Sequence, residues 1–301
     1  MVSIMRSAVL MMLLLSACSS TVATQSTNLT GPYLGQDLPG SVPRLFAPGV
    51  VSKQGDFEHS AAVFSPDGRE LFWCTNVDHY ANSSADRIQR LYTMTMIDGV
   101  WTAPEVAEFT RGIGVSISRP VFSPDGNRLY IEHPSNPTAE SEHDIYVVER
   151  INGTWSEPRP VSPVVNSPAS ERLHTITADG SMIFSRDVTT PQEGVFISRF
   201  VNGTFTEPER LGSDFDSDAM EFAIVLAKDE SYMLISSSRT GHDDELHVSY
   251  KRPDGSWSER IKAPYQAGGF LALSPDGDYL FFLGDEGIFW VDTSFVDRLR
   301  P

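Results

Sequence analysis

A short phrase recurs along this chain and limits what it can fold into. Phe64-Ser65-Pro66-Asp67-Gly68 returns as Phe122-Ser123-Pro124-Asp125-Gly126. Altered copies follow as Ile176-Thr177-Ala178-Asp179-Gly180, Leu226-Ala227-Lys228-Asp229-Glu230 and Leu273-Ser274-Pro275-Asp276-Gly277. The central aspartates are 58, 54, 50 and 47 residues apart. Self-similarity at such a period marks a repeat architecture, in which each unit buries its face only against its neighbours.

The phrase is turn chemistry. Pro sets φ at the start of the turn, Asp caps it with its carboxylate, and Gly accepts positive φ. A short apolar strand precedes each turn, as in Ser60-Ala61-Ala62-Val63-Phe64, and a second leaves at once, as in Arg128-Leu129-Tyr130-Ile131. A variable loop leads to a third strand, such as Asp144-Ile145-Tyr146-Val147-Val148. Asp98-Gly99, Asn152-Gly153, Asn202-Gly203 and Asp254-Gly255 then signal tight hairpins. After each hairpin stands one aromatic residue, Trp101, Trp155, Phe205 or Trp257, which opens a fourth strand and is expected to pack between units. Pro158 and Pro160 in one fourth strand suit a sheet edge, where no ladder donor is needed.

Four antiparallel strands per unit make a propeller blade. The last unit stops at a third strand, Gly287-Ile288-Phe289-Trp290-Val291-Asp292, while the stretch from Val42 to Val51 has the look of a fourth strand. The expectation is an all-β, five-bladed β-propeller of four-stranded antiparallel blades, closed by that N-terminal strand. Closure removes the exposed edges of an open array. A sixth blade would need extra strands hidden in residues 75–90.

The start of the chain reads as an address. Arg6 and the apolar run Ala8–Leu15 form a secretory leader too short to span a membrane. It ends in Leu15-Ser16-Ala17-Cys18, which resembles the lipobox of bacterial lipoproteins, with Cys18 as the lipidated residue. An ordinary cleaved leader is the other reading. Ser19 after the Cys leans, by resemblance to envelope sorting rules, toward the outer membrane and its periplasmic side. The expected division is a leader at 1–17, a flexible tether at 18–42 rich in Ser, Thr, Gly and Pro, and a propeller at 43–301. Cys74 is the other of two cysteines, so no disulfide framework exists; it reads as a small buried hydrophobe. The formal charge of −17 repels phosphate backbones and speaks against a nucleic-acid partner.

Phe-Ser-Pro-Asp-Gly phrases followed by aromatic strands resemble the TolB-type, WD-like propeller repeats of exported bacterial proteins, across residues 32–301. Ala178, Lys228 and Glu230 depart from the phrase. The resemblance implies a propeller of the cell envelope engaged in protein interaction, and it carries no catalytic residues.

In a propeller the turns after the first and third strands share one face. These near-constant turns read as scaffold, and the variable loops of the opposite face as the place for function. Those loops hold His59, His79, His133, His143 and His242, together with Glu58, Asp78, Glu132, Glu142, Glu171, Glu221 and Asp243. The residues just before the first strands should line the channel: Glu58, His59, Arg119, Glu171, Arg172 and Glu221. Glu58, Glu171 and Glu221 could converge as acid, base and modulator in glycoside chemistry. Glu and His together could hold a divalent metal. The same residues also fit a hydrated rim or a channel filled with salt bridges. No His-Glu-x-x-His, Gly-x-Ser-x-Gly, phosphate loop or sialidase Asp-box occurs. The reading is therefore a lipid-anchored envelope module that binds a protein or an oligosaccharide, with a polysaccharide-active enzyme as the alternative.

Overall fold

Each repeat of the phrase builds one blade. The computed structural model describes residues 29–53, 57–77, 88–111, 116–134, 143–186, 194–211, 220–238 and 244–301. The expected leader and Cys18 lie outside these residues, as do His79, Asp78, Glu142, His242 and Asp243.

Blade one runs outward from Phe57–Glu58 and Val63–Phe64 through Glu70–Val77 and Ile88–Ile97 to Val100–Trp101 and Glu105–Val106. Blade two uses Ser118–Phe122, Arg128–Pro134, His143–Ile151 and an outer pair, Thr154–Trp155 and Arg159–Pro160. Blade three uses Glu171–Ile176, Met182–Arg186, Gly194–Ser198 and Glu209–Arg210, with a small ribbon of Phe200–Val201 and Thr204–Phe205. Blade four uses Met220–Leu226, Tyr232–Ser238, Glu245–Tyr250 and Ile261–Lys262. Blade five uses Leu271–Leu273, Tyr279–Gly284 and Gly287–Asp292, and its outer strand is Arg44–Leu45. The pairs Arg44–Trp290 and Leu45–Phe289 close the ring. The protein is a five-bladed propeller of four-stranded antiparallel sheets.

The turns form as their chemistry dictates. In blade one the Ser65 hydroxyl donates to Asp67 Oδ1 at 2.6 Å, the Arg69 amide donates to the same oxygen at 3.1 Å, and the Gly68 amide reaches the Ser65 carbonyl at 2.8 Å. Blade four lacks both Pro and Gly, yet Glu230 adopts the left-handed conformation with φ 56°. Its side chain offsets that cost. Glu230 accepts from the Ala178 amide of blade three at 3.1 Å and from Lys251 Nζ at 2.9 Å, so it joins two blades where Gly could not.

Apolar layers fill the gaps between neighbouring blades. Phe72, Leu129 and Val148 join blades one and two, and Tyr130, Leu173 and Phe184 join two and three. Ile183, Ile224 and Ile235 join three and four, and Leu234, Leu280 and Phe282 join four and five. Phe46, Phe64, Trp73, Phe281 and Trp290 fill the seam between five and one. The aromatic residues after the third-strand hairpins lie in or against these layers, as expected. The helix Ser294–Leu299 lays Phe295 and Val296 on the seam of blades four and five.

Part of the stretch expected as tether lies within the described residues, and much of it is docked. Trp101 donates from Nε1 to the Gly31 carbonyl at 2.9 Å, and from its amide to the Leu29 carbonyl at 2.8 Å. Tyr33 is buried against Phe64, Tyr279 and Trp290, and its hydroxyl donates to Asp276 Oδ2 at 2.6 Å. Tyr33 and Leu34, with Leu29 packed beside them, give this polar stretch enough apolar surface to hold it on the ring. Among the described residues no helix is long and apolar enough to cross a membrane.

Candidate functional site

Five innermost strands face one another around the axis, so their side chains meet in a central channel. Beta-bulges interrupt three of them: between Ser118 and Val121, between Leu173 and Thr175, and between Glu221 and Ala223. A bulge adds an unpaired residue and re-aims the side chains beside it. Arg119 takes φ 48° in the first, and His174 is the extra residue of the second. Both line a small void of about 20 Å³ on the axis, together with Ser60 and Phe270. That is room for about one water molecule.

On the loop side of the channel the charged groups are buried and engaged. Glu132 is 3% exposed and accepts from the Leu173 amide at 2.7 Å, while Arg119 Nε stands 3.2 Å from the same oxygen. The Arg119 guanidinium lies 4.6 Å over the Phe270 ring, and the His59 ring meets that ring edge-on at 5.0 Å. Burial raises the Glu132 carboxyl, against the pull of Arg119, the Leu173 amide and Arg172. Burial lowers His59 to about 4, helped by Arg119 and His143. Burial also holds His174 neutral, again with Arg119 and Arg172 nearby; its Nε2 lies 2.5 Å from the Ser185 hydroxyl.

The residues named from sequence fall into separate settings. His59 and Arg119 come together on Phe270. Arg172 sits near Glu132 and His174, close enough to bias both charges. Glu58 is buried at the seam with blade five and accepts from the Lys53 amide at 3.3 Å; beside it Ser52 leaves no space for a side chain at Gly287. Glu171 is 0% exposed, accepts from the Ser167 hydroxyl at 2.6 Å and amide at 3.1 Å, and pairs with Arg186 Nε at 2.8 Å. Burial raises Glu171, with Ser167 and Arg186 opposing. The Glu221 backbone lies opposite Ser237, and its side chain is outside the described residues. No group of three His, Cys, Asp or Glu among the described residues is placed to hold a metal ion. Cys74 is fully buried, and burial raises its thiol far from reactivity.

The open concavity lies at the other end of the channel. A funnel of about 330 Å³ opens on the turn face, a size proper to ligand pockets. Val63, Val121, Ile176, Val225 and Leu271 form its wall, and Pro66, Pro124, Ala178, Lys228 and Pro275 of the five turns form its mouth. His174 lies at the boundary between funnel and void. Arg119 and Phe270 line the void but not the funnel. The near-constant turns mark this face as scaffold in the sequence, yet the open concavity lies here. The signal for the funnel is the pair of apolar residues before four of the five turns, as in Val63-Phe64 and Val121-Phe122; blade three has Thr175-Ile176. One of the two faces a neighbouring blade, and the other must face the axis.

Beside each mouth residue stands a turn aspartate. At Asp67, Asp125 and Asp276 burial opposes ionisation, but hydrogen bonds from the turn hydroxyl and the following amide outweigh it. At Asp179 hydrogen bonds from Thr177 and Ser181 lead, and at Asp229, where Ala227 offers no hydroxyl, those from Ser231 lead. All five carboxyls are held below the usual carboxylate range, so each turn carries an ionised aspartate, and none of the five lines the funnel itself.

No protein-family model matches the chain, and no curated protein matches its sequence. Among solved structures it is similar to a chain of Agrobacterium tumefaciens assigned as TolB, with 21% identity, 75% of this chain and 69% of that one covered, and a TM-score of 0.49. It is similar to TolB of Acinetobacter baumannii at 13% identity, over 80% of this chain and 55% of that one, with a TM-score of 0.43. The periplasmic gluconolactonase of Pseudomonas aeruginosa matches at 16% identity, over 74% and 64%, with a TM-score of 0.41. The chain thus spans little more than half of the second of these. The chain is a five-bladed β-propeller whose structural neighbours include TolB proteins.

Proposed function

We propose that this protein is a binding module of the cell envelope, anchored by lipid on Cys18, with the turn-face funnel as its site and an envelope protein as its partner. One observation carries the reading. The channel offers an open apolar concavity at one end and buried, mutually paired charges at the other. Catalysis by the loop-side carboxylates would need one of them to reach a substrate, and Glu171 is wholly enclosed by its own partners. A sugar platform would need exposed aromatic faces, whereas the Trp and Phe residues after the hairpins are spent on packing between blades. A funnel walled by Val, Ile and Leu suits a protein side chain better than a glycan. The leader and Cys18 supply the address, on the outer membrane and facing the periplasm.

A photo-cross-linking amino acid at Ala178, on the exposed mouth, tests this in intact cells. The expected result is a discrete adduct with an envelope protein, lost when Val225→Trp fills the funnel. A control at Glu259, on the outer rim, should give no such adduct. Growth with labelled fatty acid should label the wild-type chain and not Cys18→Ala. Absence of any adduct at Ala178 would overturn the binding reading.

A further inference from the structure

Among the described residues, every large hydrophobic side chain that stands exposed lies at the same end of the propeller. Leu38, Val42, Ile97, Val100, Ile151 and Val201 make up the set. Ile97 and Val100 flank the Asp98-Gly99 hairpin of blade one, and Ile151 and Val201 precede the matching hairpins of blades two and three. These hairpins sit beside the first turns. The Met96 amide donates to the Arg69 carbonyl at 2.7 Å, and the Arg150 amide to the Asn127 carbonyl at 2.8 Å. Leu38 and Val42 flank Gly40, whose carbonyl accepts from the Asp292 amide where the third strand of blade five ends on the turn face. The exposed aliphatics thus stand on separate projections around the funnel, from blade five through blade three. The tight turns themselves ask only for Asp-Gly or Asn-Gly, so hairpin geometry does not account for an exposed Ile or Val beside them.

The N-terminal stretch enters the ring on this face too. Thr30 pairs with Val100, and the Trp101 amide donates to the Leu29 carbonyl at 2.8 Å. Residues 18–29 can span no more than about 40 Å. The second strand of blade one, Glu70–Val77, alone takes up about 25 Å from one face to the other. A lipid on Cys18 therefore brings the turn face to a bilayer directly. The loop face could meet the same bilayer only with most of that chain drawn along the outside of blade one.

We infer that the turn face rests on the bilayer that holds Cys18, with these aliphatic tips in its interfacial layer. The inference rests on the lipid anchor proposed above and deepens the binding reading: the funnel opens toward the membrane, and the partner that enters it rises from that membrane. Separate aliphatics around a rim suit a flat, fluid surface, where each gains by leaving water on its own. A protein interface would gather them into one central, close-packed cluster. Charge has no leading part, because ionic groups of this face are paired locally, Arg150 with Glu70, Arg128 with Glu149 and Lys251 with Glu230.

The test uses the full lipidated chain on vesicles of phosphatidylcholine, with an environment-sensitive fluorophore on one introduced thiol. Cys74 is buried and stays unlabelled. Ile151→Cys and Val201→Cys report the turn face. Glu286→Cys, exposed between the second and third strands of blade five, reports the loop face. Labels at 151 and 201 should be quenched by nitroxide-bearing lipid and shielded from aqueous iodide, and the label at 286 should show the reverse. Leu38→Ser, Val42→Ser and Ile97→Ser together, all at exposed positions, should remove the lipid quenching at 151 and 201 while the chain still floats with the vesicles. Lipid quenching at 286 instead, iodide access at all three labels, or indifference to the Ser changes would each overturn the inference. Shielding of 151 and 201 without lipid quenching would also overturn it, since a protein, such as a second copy, would then cover this face. A wild-type chain that fails to float with the vesicles sinks the lipid anchor itself. One that floats and gives any of the overturning results sinks this inference alone.

Discussion

Glu132, on the second strand of blade two, accepts a hydrogen bond from the Leu173 amide of blade three at 2.7 Å. That single oxygen also lies 3.2 Å from Arg119 Nε, so one carboxylate satisfies a backbone donor of the next blade and a buried guanidinium at once. Glu132→Ala would leave both donors buried without their acceptor. The expected loss of stability is about 3–5 kcal/mol, read by urea denaturation. Glu132→Gln keeps an acceptor and should cost clearly less. Equal losses in the two variants would show that the charge, not the acceptor, matters.

Stability should fall as pH drops from neutrality. His59 is held at about 4 in the folded chain, below its ordinary 6.5, by burial and by the facing charges of Arg119 and His143. A depressed folded value means that the unfolded chain takes the proton first. The contribution is therefore complete above about 6.5 and is lost progressively as pH falls toward 4. Its size is on the order of 3 kcal/mol, and His174 adds in the same direction. Urea midpoints at pH 7.5 and 5 should differ in the wild type, and the difference should shrink in His59→Gln. An unchanged difference would remove His59 from the account.

The Tyr33 hydroxyl reaches an ionised carboxylate, that of Asp276. Hydrogen bonds to charged groups contribute about 1.5–3 kcal/mol. Tyr33→Phe keeps the ring among Phe64, Tyr279 and Trp290 but removes that bond. Cleavage by a non-specific protease near residues 29–36 should speed up, while the melting temperature of the ring drops by a few degrees at most. A large drop would mean that the docked turn is integral to the ring.

Closure of the ring depends on Arg44–Leu45 pairing with Gly287–Asp292. Arg44→Pro removes the ladder donor of the hydrogen-bonded pair with Trp290 and should expose the edge of Gly287–Asp292. The expected outcome is a lower melting temperature together with concentration-dependent self-association in sedimentation runs. A monomer with unchanged melting would show that the docked segment, rather than the strand, seals blade five.

The blades were legible in the sequence because their determinants are local. Ser65, Asp67 and Gly68 meet within one turn, and the same meeting recurs wherever the phrase recurs. Even the altered phrase at Asp229-Glu230 kept its turn, since spacing and the capping aspartate sufficed. The closing strand was legible from what blade five lacked. The channel was harder to read because it depends on the assembled ring. Bulges at His174 and beside Arg119 break the alternation that says which way a strand residue points. Glu132 lies on a second strand, where no counting from the first would place it on the axis. The funnel wall was hidden by the ordinary look of Val63, Val121 and Val225, which pack against the core layers while also lining the funnel.

Tyr33 and Asp276 stand 243 residues apart in the chain and meet only when the circle is whole. The N-terminal strand is thus made first and paired last. During synthesis blades one to four have neighbours to rest on as they emerge, but the seam that holds Phe46, Phe64 and Trp290 waits for the final few dozen residues. Until then the opening strand is an unpaired guest, and the edge it will occupy does not yet exist. A ribosome that stops short of Gly287 therefore releases not a slightly shorter propeller but an unsealed crescent with two open ends.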